Sequence, residues 1–214
     1  RAIDVGADVF GAAIVPVVVG APSLGRYCVF GNLFVRNAAD AEPLTVQVVA
    51  MRWKWLFIYP EQQIATVNYV RVPVGTPVTF ELTADEAPMS SFWIPNLGGM
   101  LYAMSGGHVN NLNLIAEAPG EYPGSTAEIN GLGFAGMKFI THATSNEDFD
   151  QWVREVGMTS DALSSAEYER LLKPSENNPV AYYALPDDDL YAKVVMKYRG
   201  SGHNHKPAHY EDAH

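Results

Sequence analysis

The distribution of apolar residues predicts a series of short strands followed by a few helices. Between residues 44 and 143, runs rich in β-branched and aromatic residues alternate with glycine and proline turns, about every 8–12 residues. The predicted strands are residues 44–51, 53–59, 64–72, 78–83, 91–94, 108–116 and 137–143. This pattern is typical of a mainly β domain built as a sandwich or barrel.

The pattern changes to a helical period at residue 146. Ser145 or Asn146 can cap a helix that ends at Gly157. Its predicted apolar stripe is Phe149, Trp152, Val153 and Val156. A second helix is predicted from Ser160 or Asp161 to Pro174, and a third over residues 187–198.

The chain therefore divides into four predicted parts. Residues 1–40 form an N-terminal segment with strands predicted at 13–19 and 27–35. Residues 41–145 form the β domain, 146–200 a helical extension, and 201–214 a polar, flexible tail. The longest apolar run, residues 12–22, falls short of the roughly 18 residues that a membrane-spanning helix needs.

Charge and cysteine content narrow the classes of function. The formal net charge of −10 argues against a nucleic-acid partner, which requires a basic face. Cys28 is the single cysteine, so neither a disulfide nor a multi-cysteine metal site can form within this chain.

The histidines alone do not predict a metal site. Four of the six lie in the tail, at His203, His205, His209 and His214, and such a tract can bind divalent metals adventitiously. In the folded body, His108 and His142 have no cysteine thiolate to join them, so we interpret them as ordinary polar residues on strands. No Gly-x-Ser-x-Gly nucleophile motif and no phosphate-binding glycine loop is present.

One predicted strand carries an aromatic stripe. The period of two places Trp53, Trp55, Phe57 and Tyr59 on the same face. The stripe is either a packed core face or a surface that contacts a partner, since tryptophan and tyrosine are enriched at interfaces.

The glycine-rich stretch 126–137 has the spacing of a loop that could present several metal ligands. Its candidate positions hold Thr126, Glu128, Asn130, Phe134 and Met137. Of these, only Glu128 and Met137 can still coordinate a metal, so the loop is either a metal site or the remnant of one whose ligands have been replaced.

Several ordered motifs resemble subunit II of the haem–copper respiratory oxidases, in particular its cytochrome bo-type ubiquinol oxidase branch. The matching segments lie at residues 52–61, 64–68, 91–95, 97–98, 102–104, 133–139, 149–153 and 174–176. The resemblance covers about residues 42–200. It implies a cupredoxin-like Greek-key β-sandwich with C-terminal helices. It does not extend to residues 1–40, where the family carries two transmembrane helices that this sequence does not show.

The resemblance also aligns the loop positions with the ligands of a copper centre. In the cytochrome c oxidase branch the pattern Cys-x-Glu-x-Cys-x-x-x-His-x-x-Met, with an upstream histidine, holds a binuclear copper centre. Here its positions fall on Thr126, Glu128, Asn130, Phe134 and Met137, with the upstream histidine replaced by Ser90. Both thiolates and both imidazoles are absent, which implies a subunit without copper.

The resemblance thus implies a non-catalytic subunit of a proton-pumping ubiquinol oxidase. We expect no catalytic residue and no cofactor in this chain; the haems and copper are expected in subunit I. The partners are subunit I and other membrane subunits, with ubiquinol as the substrate of the complex. The domain would lie on the periplasmic side of a bacterial inner membrane, with Trp53–Tyr59 helping to dock it.

Two alternatives remain open. A soluble electron-transfer cupredoxin would need a Cys–His–His copper set, although Cys28 lies far in sequence from any histidine. A structural or metal-delivery domain would use the histidine-rich tail.

Overall fold

The computed structural model describes residues 27–30, 33–36, 43–185 and 189–199. The strands are β1 Tyr27–Phe30, β2 Leu33–Arg36, β3 Leu44–Met51, β4 Lys54–Tyr59, β5 Ile64–Val67, β6 Tyr69–Pro73, β7 Pro77–Ala84, β8 Ser90–Trp93, β9 Leu101–Ala103, β10 Asn110–Ile115, β11 Gly120–Thr126, β12 Lys138–Thr144 and β13 Ala181–Ala184. The helices are α1 Asn146–Gly157, α2 Ser165–Leu172 and α3 Leu190–Arg199, with a 3₁₀ turn at Phe134–Gly136.

Two sheets form the body of the protein. One has six strands in the order β10-β7-β3-β4-β5-β13, and the other has five in the order β6-β12-β11-β8-β9. The pairs β3–β7 and β6–β12 are parallel and the other pairs within these two sheets are antiparallel. This arrangement confirms the predicted mainly β sandwich followed by C-terminal helices.

The aromatic stripe of β4 lies in the core between the two sheets. Trp55, Phe57 and Tyr59 are fully buried. The Trp55 ring meets the Phe92 ring edge-on at 5.2 Å between centroids, and Phe57 lies 5.2 Å from Phe139. The core interpretation of the stripe is therefore correct for these three residues, and the partner-contact interpretation is wrong for them.

The reason is that β4 is covered on both faces. Leu56 and Ile58, which point away from the first core, belong to a second core shared with α2, α3 and β13. A strand buried on both faces leaves no side chain free for a partner. Trp53, just before the strand, is only partly buried and is the one interface candidate near the surface.

The C-terminal region is packed against the six-stranded sheet. Tyr168, Leu171 and Val194 of α2 and α3 are buried in the second core. β13 extends the sheet by pairing with β5, from Ala181 opposite Val67 to Ala184 opposite Ile64. Helix α1 instead packs at the first core, where Trp152 lies 5.6 Å from the Tyr59 ring.

A buried lysine ties the sheet to the end of α2. The Nζ atom of Lys54 donates hydrogen bonds to the carbonyl oxygens of Leu171, at 2.7 Å, and Lys173, at 2.9 Å. These bonds satisfy carbonyls that the helix end leaves without intrahelical partners. Burial, together with the charge of Arg170, lowers the pKa of Lys54 from its usual value.

Replacing Lys54 with methionine is expected to reduce the free energy of unfolding by about 1–3 kcal/mol, because two carbonyls would lose their donor in a buried setting. Denaturant unfolding of the full chain measures the change. Lys138→Met, at an exposed position of β12, is the matched control and should stay within about 0.5 kcal/mol of the wild type. Equal stability of the two variants would contradict the capping role.

The structure corrects several predicted elements. The predicted strand 64–72 is two strands in different sheets, because Asn68 at φ 55° breaks it and its side-chain oxygen accepts a hydrogen bond from the Trp55 amide. Helix α2 begins at Ser165, four or five residues later than the predicted start at Asp161 or Ser160, since Ser164 caps it by accepting from the Glu167 amide. The strands β9, β11 and β13 were not predicted.

Some predictions fall outside the described residues. These are the strand at 13–19, the start of the third helix at 187–188 and the histidine-rich tail. Within the described ranges, no helix combines the length and apolar character needed to cross a membrane.

Candidate metal centre

The glycine-rich loop connects β11 to β12 at one end of the sandwich. Thr126 ends β11, Met137 immediately precedes β12, and Ser90 begins β8 beside them. Strand pairing fixes this arrangement, since Thr126 lies opposite Phe92 of β8. Ser90, Thr126, Asn130 and Met137 are all buried there.

Asn130 is the centre of a hydrogen-bond network in this loop. Its Nδ2 donates to Ser90 Oγ at 2.8 Å and to Met137 Sδ at 3.1 Å. Ser90 Oγ in turn donates to the carbonyl oxygen of Pro88 at 3.1 Å. The structure therefore joins three of the six positions that the resemblance aligned with copper-site residues.

Thr126 is held by the neighbouring serine. Its Oγ1 accepts from the Ser91 amide and lies 3.3 Å from Ser91 Oγ. Ser91 Oγ also accepts from the amides of Ala127, at 2.8 Å, and Glu128, at 2.7 Å. Sequence reasoning did not identify Ser91, although a hydroxyl side chain beside a tight loop is a common acceptor for loop amides.

The side chains of the remaining two positions lie outside this network. Glu128 is exposed and accepts a hydrogen bond from the Tyr102 hydroxyl at 2.8 Å. That bond is the main reason why the pKa of Tyr102 lies above its usual value. Phe134 lies, half-buried, in the 3₁₀ turn.

Trp53 covers the loop from the β3–β4 turn. A Cβ atom at Gly133 would lie 2.4 Å from the Trp53 ring, and one at Gly131 would lie 3.2 Å from it. Only glycine allows the loop backbone to lie so close to the indole. Sequence reasoning placed Trp53 in the aromatic stripe; the spacing Gly131-Leu-Gly133 was the available signal for a ring packed against backbone.

Curated proteins with similar sequences share one description. The chain is 52% identical to the cytochrome bo(3) ubiquinol oxidase subunit 2 of Pseudomonas putida over 173 residues, which cover 81% of this chain and 54% of that protein. It is 49% identical to the ubiquinol oxidase subunit 2 of Acetobacter aceti, over 75% of this chain and 51% of the relative.

The chain belongs to the ubiquinol oxidase subunit 2 family.

It spans about half the length of these relatives. A solved structure supports the fold alone: the periplasmic domain of cytochrome oxidase subunit II from Bradyrhizobium japonicum is 21% identical, with a TM-score of 0.50 over 52% of this chain and 91% of that chain. The cupredoxin-like fold implied by the resemblance is thus confirmed.

A family model, the COX Aromatic Rich Motif, matches residues 159–202. Tyrosines of this segment bond to the sandwich. The hydroxyls of Tyr168 and Tyr198 donate to the Asp85 carboxylate, at 2.7 and 2.5 Å, and Tyr191 donates to the carbonyl oxygen of Glu81. Burial first, and then Asp85, raises the pKa of both Tyr168 and Tyr198, so these tyrosines remain hydrogen-bond donors at neutral pH.

The residues at this loop do not fit a copper centre. The one soft donor, Met137 Sδ, already accepts a hydrogen bond from Asn130, and the other buried positions carry neutral oxygen and amide groups. Copper prefers thiolate, thioether and imidazole ligands. Across the described part of the chain, no three His, Cys, Asp or Glu side chains form a group that could hold a metal ion.

The body histidines take no part in the loop network. His142, on β12, lies with its Nδ1 3.1 Å from the Tyr69 hydroxyl, in the five-stranded sheet. The Tyr69 hydroxyl also accepts a hydrogen bond from Arg71 Nε at 3.1 Å. His108 precedes β10.

Because Trp53 packs against the loop, we expect Gly133→Ala to lower the free energy of unfolding. The new methyl group would displace the indole or the loop, with a loss of about 1–3 kcal/mol in the free energy of unfolding. Gly157→Ala is the control, because a Cβ there meets only Ile64 Cγ2, at 3.9 Å. Urea titration of both variants measures the difference. A neutral Gly133→Ala would mean that Trp53 does not constrain the loop.

Proposed function

We propose that this chain is a non-catalytic subunit of a proton-pumping terminal ubiquinol oxidase and carries no redox centre itself. The observation that supports this most strongly is the loop network. Where the copper branch needs two thiolates and two imidazoles, this chain has Thr126, Asn130, Ser90 and Phe134, and two of the four are hydrogen-bonded to each other.

The network replaces the structural role of a metal. A metal holds a ligand loop to its neighbouring strand through coordinate bonds, whereas here the Asn130 amide joins the loop to Ser90 of β8 and to Met137. Hydrogen bonds between buried polar groups keep such a loop ordered without an ion. The domain can therefore keep its shape without carrying electrons.

The redox chemistry then belongs to a partner. We place quinol oxidation, oxygen reduction, the haems and the copper in the large subunit, subunit I, of the complex. The domain lies on the periplasmic side of the bacterial inner membrane and contacts subunit I and other membrane subunits. A donor that delivers electrons through a subunit II copper centre, such as cytochrome c, is not a substrate.

Affinity purification of the natural full-length subunit from membranes tests this function. A haem-bearing large subunit should co-purify, and the complex should consume oxygen with ubiquinol and not with reduced cytochrome c. Oxygen uptake driven by cytochrome c, or purification without any haem protein, would contradict the proposal.

A further inference from the structure

The loop between β11 and β12 contains the single Asn-Gly pair of the sequence, Asn130-Gly131. The asparagine side chain of such a pair can react with the backbone nitrogen of the next residue, because glycine has no Cβ atom to shield that nitrogen. The reaction turns the side-chain amide into an acid. Asn130 is also the donor that joins this loop to Ser90 and Met137, so a reaction here acts on the centre of the network.

The reaction needs only water. The Gly131 nitrogen attacks the Asn130 Cγ atom and closes a succinimide ring, while the Cγ–Nδ2 bond breaks and the proton lost by the Gly131 amide leaves with Nδ2 as ammonia. Water then opens the ring. Attack at Cγ gives an aspartate, and attack at the main-chain carbonyl carbon gives an isoaspartate, whose main chain runs through the former side chain. Neither step oxidises or reduces any atom.

The nucleophile of this reaction is accessible in the fold. Gly131 is exposed and has φ 125°, a conformation that favours glycine. Its amide donates no hydrogen bond within the described residues. The side chains of Ile129 and Leu132 beside the pair are 85% and 90% exposed. Water and hydroxide can therefore reach the backbone nitrogen and the ring that it would form.

The Asn130 side chain, in contrast, is buried and restrained. Its Nδ2, the leaving group, donates to Ser90 Oγ at 2.8 Å and to Met137 Sδ at 3.1 Å. Ring closure requires a narrow range of side-chain torsions, so hydrogen bonds that fix the amide slow it. Asn130 Oδ1, where negative charge develops during the attack, has no donor among the described residues. The fold thus slows a reaction that the sequence favours.

Neither product can replace Asn130 in the network. A carboxylate only accepts hydrogen bonds, so it cannot donate to Ser90 Oγ or to Met137 Sδ. It also brings a negative charge to a buried position, which is unfavourable unless the charge is paired. Isoaspartate adds a methylene group to the main chain where Gly131 and Gly133 pack against Trp53. Either product therefore weakens the attachment of the loop to β8.

We propose that Asn130-Gly131 is a deamidation site whose rate is controlled by the hydrogen bonds of Asn130 to Ser90 and Met137, and that its modification releases the loop from β8. The reaction is slow while the network is formed and fast when the loop opens. The site depends only on residues of this chain, whichever complex the chain joins.

Peptide mass spectrometry of the intact chain, incubated at mildly alkaline pH, measures the conversion. A hydrogen bond of about 1 kcal/mol corresponds to about a fivefold change in rate, so Ser90→Ala should convert Asn130 about fivefold faster than the wild type. Ser160→Ala, at an exposed position between α1 and α2, should leave the rate unchanged. Exposed Asn96, which precedes Leu97, is the internal control and should not convert.

Unfolding in urea separates the reactivity of the sequence from the restraint by the fold. The wild type and Ser90→Ala should convert at the same rate in urea, more than about tenfold faster than the folded wild type, because both hydrogen bonds are lost. No conversion in urea would overturn the site. Equal rates for folded Ser90→Ala and Ser160→Ala would overturn its control by the network. If Ser90→Ala does not fold, Met137→Leu removes the other acceptor at similar volume and takes its place.

The variant Asn130→Asp reproduces one product and tests the effect on the loop. Hydrogen exchange of residues 126–137 should be about fivefold faster than in the wild type, because a hydrogen bond of about 1 kcal/mol is lost. Glu128→Gln, at an exposed position of the same loop, is the control and should exchange as the wild type does. Equal exchange in the two variants would show that the modification does not release the loop.

Discussion

The variant that combines Ser90→His, Thr126→Cys, Asn130→Cys and Phe134→His is expected to bind copper stoichiometrically and to become coloured. The four changes restore both thiolates and both imidazoles at the positions that the resemblance assigns to them, and Met137 is already present. Thiolate ligands give copper an intense visible absorption, and imidazole and thiolate together are the ligands it prefers.

The distances between these positions in the structure support this expectation. Asn130 Nδ2 lies 2.8 Å from Ser90 Oγ and 3.1 Å from Met137 Sδ, so three of the five positions to be used are in contact. Phe134 is half-buried in the adjoining 3₁₀ turn and is the position that must turn inward.

Visible and electron paramagnetic resonance spectra during copper titration measure the result. The matched control keeps both histidines and has serine in place of each new cysteine; it should show no thiolate band. A quadruple variant that folds, by circular dichroism, yet stays colourless with copper would mean that the loop geometry does not match the copper branch.

Asp85→Ala should destabilise the attachment of the C-terminal helices by about 3 kcal/mol. Asp85 is only 1% exposed, and its carboxylate accepts from Tyr168, Tyr198 and Lys197. A hydrogen bond to a charged group contributes about 1.5–3 kcal/mol, and the buried phenol of Tyr168 would be left without its acceptor. Chemical denaturation and hydrogen exchange of residues 190–199 follow the loss.

Lys197→Met separates the two kinds of contact to Asp85. The Lys197 side chain is 41% exposed, so its ion pair with Asp85 is screened by solvent and should contribute about 1 kcal/mol or less. A loss for Lys197→Met as large as that for Asp85→Ala would show that the ion pair, rather than the hydrogen bonds from Tyr168 and Tyr198, supplies the stabilisation.

Periodicity in the sequence predicts the strands and helices whose apolar residues follow a single regular spacing. β3 follows the alternation of apolar residues, and α1 has a serine cap, an acidic first turn and a regular apolar stripe; both have the predicted bounds. These signals are local, so no tertiary contact is needed to interpret them.

Elements that depend on tertiary contacts were missed. β11 contains Gly120, Pro123 and Gly124, which usually indicate turns, yet Gly124 is required because a Cβ there would lie 2.1 Å from the Phe139 ring. Pro123 is tolerated because β8 pairs only with Ser125 and Thr126 of this strand. β13 is only four residues long and gains its stability from pairing with β5.

The candidate site was predicted in part. The resemblance identified Ser90, Asn130 and Met137, which the structure brings together. It gave no signal for the role of Trp53 above the glycines or of Ser91 beneath the loop, because neither position is a ligand in the copper branch. The burial of Trp55, Phe57 and Tyr59 could not be settled from their spacing, since a core face and a binding face share the same period.

Copper titration of the native chain without residues 201–214 tests the central claim most directly. Removal of the tail excludes adventitious binding by its four histidines. We predict no thiolate-to-copper absorption band and no copper signal beyond that of the free ion. A stoichiometric charge-transfer band, with an electron paramagnetic resonance spectrum typical of protein-bound copper, would contradict the assignment of this chain as a subunit without a redox centre.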